Sequence, residues 1–417
     1  MSIFRPFRAL RPDPALAGRI AALPYDVMNE EEARALTAEN PYSFLHISRA
    51  EVDLPEGTDP YSDEVYAKAA ENLHSFEEKG YLLRDKDASF YILQQNMDGR
   101  VQTGLVGCAS IDDYINNVIK KHEKTRYEKE ADRIRHVSTC MANTGAIFLT
   151  YRGRSSISAV IQKWKQTHTP VYDFTMDGGV RTLLWVVDDA NVCLQLSTAF
   201  RDEVDSLYIA DGHHRCASAA HVGMELRRKN PSYTGYEEFN RFLAVAFPSD
   251  ELQIMDYNRV VRTPEGMTKE ELFQGINKNF DIECQLQLHP CRPEAPRTFG
   301  MYYDGSWYKL TARPDTYPPD DPVDSLDVSI LQNNLIAPVL GIEDPRKDSR
   351  IDFVGGIRGL EELERRATSD MNLAFAMYPT SLNQLIAIAD AHELMPPKST
   401  WFEPKLPSGL FIHDLSE

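Results

Sequence analysis

The run Leu207-Tyr208-Ile209-Ala210-Asp211-Gly212-His213-His214-Arg215 constrains this chain more than any other segment. A short apolar stretch ends in an acid and a glycine, and three donors follow. Cys216-Ala217-Ser218-Ala219-Ala220 comes next, small and helix-compatible. The pattern is a strand that turns through glycine into a helix N-terminus. Free N–H groups and the positive dipole end of such a helix attract anions. Arg215 adds a planar fork suited to phosphate, and the histidines add further donors. The expectation is a nucleotide or phosphate site on Gly212, His213, His214 and Arg215. The competing interpretation is a plain strand–helix junction with one buried, hydrogen-bonded histidine.

A chain of 417 residues implies two or three domains. The net charge of -18 argues against a nucleic-acid-binding surface but allows a small basic pocket. No apolar run reaches the length of about 18 residues that a membrane helix needs, and no secretory segment opens the chain. Cysteines at 108, 140, 193, 216, 284 and 291 include no Cys-x-x-Cys pair. Neither a zinc knuckle nor a disulfide scaffold is indicated, and reduced thiols in a cytoplasmic protein fit best.

Along the chain, Asn29 and Glu32 form a capping pair for a helix through Ala38. Pro41 to Ile47 reads as a strand. Val65, Ala69, Leu73 and Phe76 form a helical stripe that Gly80 stops. Asp98-Gly99 joins two strand-like runs into a hairpin. A second hairpin spans Val171 to Val187, and a third turns at Asp304-Gly305. Helices are expected at 157–167, 265–280, 325–337 (closed by Pro338) and 381–391. Strands are expected at Ala146–Leu149, Phe242–Phe247 and Leu373–Tyr378. Hairpins with interspersed helices favour α+β over a doubly wound parallel sheet. The expected domains are a core over 1–260, an α+β domain over 261–392 and a Pro-rich tail over 393–417 that packs back on the core.

Lys120 to Thr125 and Ala131 to His136 concentrate positive charge in an acidic chain. Arg133 and Arg135 suit charged oxygens, and Glu123 is the nearest acid to accept a proton or hold Mg²⁺. A solvated helix face is the alternative. Asp26, after an extended stretch, either orients a substrate group or forms a turn. Pro396-Pro397-Lys398-Ser399-Thr400 lacks the glycines of a P-loop, yet a rigid tail delivering Lys398 or Ser399 to a site is a further reading. Adjacent His213 and His214 point about a hundred degrees apart on a helix, against joint ligation of one metal. Gly-x-Gly-x-x-Gly and Gly-x-Ser-x-Gly are absent.

Phe4–Pro12, Ala22–Val27, Asn40–Ile47, His122–Thr125, Ala131–His136, Tyr208–Arg215 and Met395–Leu410 together resemble the DUF1015 family across nearly the whole chain. The Asp211-Gly212-His213-His214-Arg215 element also resembles the phosphate loop of free-serine kinases of the ParB/sulfiredoxin-like fold. The resemblance implies a ParB/sulfiredoxin-like nucleotide-binding core with hairpin-rich insertions. It implies phosphorylation of free L-serine with ATP or ADP as donor and Mg²⁺ present. Asp211, His213, His214 and Arg215 match that loop residue by residue, and Glu123 matches the kinases' glutamate by context. In this reading Glu123 and Asp211 are catalytic, and Asp211 also holds the metal. Gly212 to Arg215, with Arg133 and Arg135, bind phosphate, while Asp26, His122 and Lys398 meet the substrate. A ParB-like nucleotide-binding switch and a phosphoesterase are the alternatives. The expected partners are a small molecule and a second copy of the chain, without nucleic acid or membrane.

Overall fold

The computed structural model describes residues 1–284 and 290–416. The chain forms two compact units, Met1–Leu252 with Pro404–Glu417, and Gln253–Glu403. The sequence reading set its boundaries at 260 and 392. In the structure, residues 393–403 belong to the second unit, and only the end of the tail joins the first.

The first unit is built on a 9-stranded sheet. Its strands are β1 (Phe4–Arg5), β2 (Phe90–Met97), β3 (Arg100–Ser110), β4 (Ile119–Lys120), β5 (Ile147–Tyr151), β6 (Tyr172–Thr175), β7 (Arg181–Val187), β8 (Leu207–Asp211) and β9 (Arg241–Pro248). Their order is β4-β8-β5-β9-β3-β2-β7-β6, with β1 on β3. The β8–β4 and β9–β5 pairs are parallel. The remaining pairs are antiparallel, as a mixed α+β architecture built from hairpins requires. At the β2–β3 turn Asp98 and Gly99 have φ of 52° and 81°. Two left-handed residues give the turn whose twist matches its strands.

One sheet face buries Phe90, Ile92, Leu105, Leu149, Ile209 and Phe242 in a single core. Helices Ser155–Thr167, Ala190–Glu203 and His213–Lys229 supply the opposing layer. The inward residues Ile157, Ile161 and Trp164, then Cys193, Leu196 and Phe200, recur at helical spacing. Helix His213–Lys229 presents Cys216, Ala219 and Ala220. Such small side chains let a helix lie close to its support. At Gly223 a Cβ would fall 2.4 Å from the Phe239 carbonyl oxygen, so only glycine fits that approach.

The helix expected over 265–280 is confined to Lys269–Ile276, because Phe280 starts a strand, and two further expected elements differ. Pro41 to Ile47 is not a strand, because Leu45–Ser48 is a helical turn. Phe44, Leu45 and Ile47 are all buried, and three apolar positions so close together fit a strand and a helical turn alike. The helix expected to stop at Pro338 continues to Leu340 through a wider π turn at Gln332–Ile336. The proline lacks the N–H that Asn334 O would otherwise accept. Asn279 Nδ2 donates to that oxygen instead, at 2.9 Å.

The second unit holds a 6-stranded antiparallel sheet, ordered Phe280–Cys284, Ser306–Ala312, Thr298–Tyr303, Leu373–Ala376, Tyr257–Val261, Ile351–Gly355. Leu360, Leu363 and Ala367 pack on Val260, Ala374 and Ala376 of this sheet. Capping boxes at Thr268 and Ser381 start two of its helices. Among the described residues no helix is long and apolar enough to cross a membrane.

Candidate functional site

β8 loses its regular register against β5 between Ile209 and Asp211, and the chain then turns through Gly212 at φ 95°, ψ 33°. Helix His213–Lys229 begins there with no side-chain cap. Its first-turn N–H groups are therefore left for water or a ligand. Arg215 folds back over the glycine: a Cβ on Gly212 would lie 3.0 Å from Arg215 Nε. Arg215 Nη2 donates to Asp211 Oδ2 at 3.1 Å, and Nη1 donates to Ala146 O at 2.5 Å. Its Nε is buried without a partner.

Arg215 forms one wall of a cavity of about 500 Å³, open mouth included. Tyr25, Ser48, Arg133, His136 and Ser218 line the rest with it. Arg133 projects from helix Tyr127–Cys140, which packs against helix His213–Lys229. Its guanidinium grips Asp132 through Nε at 3.0 Å and Nη2 at 3.1 Å. Asp132 also accepts the Tyr66 hydroxyl at 2.8 Å. Both cavity arginines are 11% exposed. The Tyr25 ring lies 3.9 Å from the Arg133 guanidinium carbon, and burial pushes the phenol up to about 12. Arg49 Nη1 donates to Tyr25 O and Met28 O at 2.9 Å each, which fixes this turn. Ser48 Oγ is buried without a partner. His136 Nε2 meets Ile47 O at 3.1 Å, and burial, then Arg133, lower it to about 4.

Beyond Asp211 two histidines meet edge to face. His213 Nε2 accepts the His122 backbone N–H at a long 3.5 Å. The neutral ring then carries its proton on Nδ1, which faces Glu123 Oε2 at 3.9 Å. His122 packs edge-on against His213 with centroids 4.5 Å apart. Burial lowers His122 to about 4 and His213 well below its ordinary value. Burial would raise Asp211, but Lys405 and then Arg215 hold it below the usual carboxylate range. Lys405 Nζ stands 3.9 Å from Asp211 Oδ2. Gln95 Nε2 donates to the Lys405 carbonyl at 2.9 Å and so anchors this stretch of the tail.

Asp211 to Arg215, Arg133, Glu123 and His122 thus gather in the first unit. His122 is 2% exposed, and both its ring nitrogens are buried without a hydrogen-bond partner. Asp26 is exposed beside Tyr25, and its charge pulls His214 upward against burial and Arg126. Arg135 is not brought to the cavity. Two residues from Arg133 is about 200° round a helix. There Arg135 donates to Tyr61 O at 2.6 Å and pairs with Asp63. Lys398 lies in the second unit, its ammonium 5.4 Å from the Tyr257 ring centre. The tail residue that reaches Asp211 is Lys405, which sequence reasoning missed and no local pattern signalled. Tyr25 was also missed, although it neighbours Asp26. Arg215 and Lys405 both face Asp211 through its Oδ2, the carboxylate that the resemblance assigns to Mg²⁺.

Solved structures resemble the chain, three of them as follows. A free serine kinase in complex with AMP shares 12% identity at a TM-score of 0.37, covering 73% of this chain and 89% of that one. A conserved hypothetical protein from Pyrococcus furiosus shares 12% at 0.35, covering 75% and 95%. SbnI with a C-terminal truncation, from Staphylococcus aureus, shares 11% at 0.38, covering 73% and 85%. No curated protein matches by sequence. The family profile described as protein of unknown function (DUF1015) matches residues 4–329, and the chain belongs to that family.

Proposed function

We propose that the first unit is a cytoplasmic small-molecule kinase with a ParB/sulfiredoxin-like core, and that it holds phosphate between Gly212–Arg215 and Arg133. One observation carries this reading. Two buried guanidiniums share a cavity beside an uncapped helix start, with Arg215 Nε and Ser48 Oγ both unpartnered. A buried donor without an acceptor costs about 1–3 kcal/mol, and a phosphate with several acceptor oxygens offsets that cost. The guanidiniums also face the charge that develops on a phosphoryl group in transfer.

Glu123 is the proposed base. Neutral His213 faces the Glu123 carboxylate with its Nδ1–H at 3.9 Å and adds no charge beside it. In the reaction the acceptor oxygen bonds to the terminal phosphorus of the donor. The hydroxyl proton passes to Glu123, and the bond to the leaving nucleotide breaks, its electrons staying on the nucleotide oxygen. The acceptor, free L-serine, and the donor, ATP or ADP, are those implied by the resemblance of the Asp211–Arg215 loop. No step is assigned to Mg²⁺.

Phosphorus NMR of the protein with Mg²⁺, L-serine and either ATP or ADP tests this. The expected result is a serine-dependent phosphomonoester signal. Glu123→Gln should lose about 100-fold or more in turnover and keep nucleotide affinity. Nucleotide binding without product, together with a silent Glu123→Gln, would replace the kinase with a nucleotide switch.

A further inference from the structure

Cys108, Glu238 and His413 come from three distant parts of the first unit and meet at one point. Cys108 lies on β3, Glu238 begins the short turn Glu238–Asn240, and His413 starts the terminal strand that pairs with Ala142–Asn143. A sulfur, a carboxylate oxygen and an imidazole nitrogen lie within 4.8 Å of one another. Cys108 and His413 are buried, and Glu238 is 22% exposed, which leaves a route inward.

The tautomer of His413 follows from its neighbours. Asn143 Oδ1 accepts the Leu243 N–H at 3.2 Å, so an oxygen also faces His413 Nδ1, at 3.1 Å. Nδ1 then carries the ring proton, and Nε2 points at Glu238 Oε2, 2.7 Å away. Two cations can join that pair: a proton shared at 2.7 Å, or a metal ion that opens the contact and draws in the thiol. The second Glu238 oxygen takes Arg241 Nη2 at 2.8 Å, which sets the carboxylate. An imidazole oriented by an amide oxygen, with a thiol and a carboxylate beside it, is the donor set of a borderline divalent metal.

We propose that Cys108, Glu238 and His413 bind a zinc-class ion, with water from the Glu238 side as fourth ligand. With bond lengths of about 2.0–2.3 Å, tetrahedral ligand atoms stand roughly 3.3–3.8 Å apart. The widest pair here closes by at most about 1 Å, and the 2.7 Å pair opens by about half that. Binding releases the thiol proton to solvent. The ion would tie the terminal strand to Asn143, which with Thr144 and Gly145 lines the arginine cavity. It is a structural clamp for that wall and does not depend on the kinase reading.

The test uses the full chain, stripped with a chelator and titrated with Co²⁺ or Zn²⁺. Expected are about one Co²⁺ per chain, a thiolate-to-cobalt charge-transfer band and a Zn²⁺-dependent rise in melting temperature. Cys108→Ser should abolish the band, and the isosteric Glu238→Gln should weaken Co²⁺ affinity about 10–100-fold. No charge-transfer band in the parent protein would leave only a proton shared by His413 and Glu238 and overturn the proposal. So would a band that survives Cys108→Ser, or an unchanged affinity in Glu238→Gln.

Discussion

The two units hold buried charge in opposite ways. In the first, Arg133 and Arg215 are each neutralised by an acid, Asp132 and Asp211, and both still face a cavity. In the second, Arg259 is 4% exposed and donates to the carbonyls of Tyr257 and Lys398, and burial lowers it to about 10. An acid partner leaves a guanidinium charged with donors to offer, whereas carbonyl partners in closed packing make it a staple. Titration separates the units as well. The first keeps His122, His136 and His213 neutral by burial. In the second, burial raises Asp327 to about 7, although it accepts the Arg297 N–H at 2.9 and 3.0 Å.

The largest effect that would break this contrast is acidification. For His122 and His136 the folded value of about 4 lies below the unfolded 6.5, so the unfolded chain binds more protons in between. Their stability contribution is complete above pH 6.5 and lost as pH falls toward 4, up to about 3 kcal/mol each. Asp327 runs the other way: the folded state binds the extra proton between 3.8 and about 7, so the second unit gains as pH falls through that window. Asp113, raised to about 6 by burial, offsets part of the loss in the first unit. Trp164 and Trp185 report on the first unit, and Trp307 and Trp401 on the second. Urea unfolding of Trp→Phe pairs should show the first unit's midpoint falling from pH 7 to pH 5 while the second's does not. Parallel shifts would erase the distinction.

Next in size is the arginine pair. Arg215→Met should weaken ADP binding about 100-fold, near 3 kcal/mol, by calorimetry. Arg259→Met should leave that affinity unchanged and lower only the urea midpoint seen by Trp307 and Trp401. Equal losses of affinity would mean that the cavity is not the anion site.

What was legible in the sequence is what local geometry dictates. The Asp98-Gly99 and Asp304-Gly305 hairpins, the Asn29–Glu32 capping box and the β8–Gly212–helix junction each need only adjacent residues. The rest depends on distance along the chain. Lys405 reaches Asp211 because the tail is held at Gln95, and nothing within a window of residues encodes that. Arg133 and Arg135 read alike in sequence, and only the packing of their helix decides that one faces the cavity and the other Asp63. Cys108 and His413 lack any spacing motif, so their meeting with Glu238 was invisible before folding. Pro41 to Ile47 failed for the opposite reason, because Phe44, Leu45 and Ile47 are too few and too close to show a period.

The smallest effect sharpens the comparison most, because it uses one dipeptide twice. Gly212 and Gly305 both follow an aspartate and both have positive φ, 95° and 71°. Alanine at either position pays a backbone penalty of about 1–2 kcal/mol. Around Gly305 nothing lies within 4 Å of the added Cβ, so strain is the whole effect. At Gly212 the same methyl meets Arg215 Nε at 3.0 Å and Cζ at 3.1 Å. The arginine must move off the loop, and with it the donors that face the cavity. Gly212→Ala should therefore lower ADP affinity about 10-fold, whereas Gly305→Ala, equally strained, should leave affinity untouched. Should Gly212→Ala bind ADP as the parent does, the folding of Arg215 over the glycine plays no part in holding phosphate, and the uncapped helix start must do so alone.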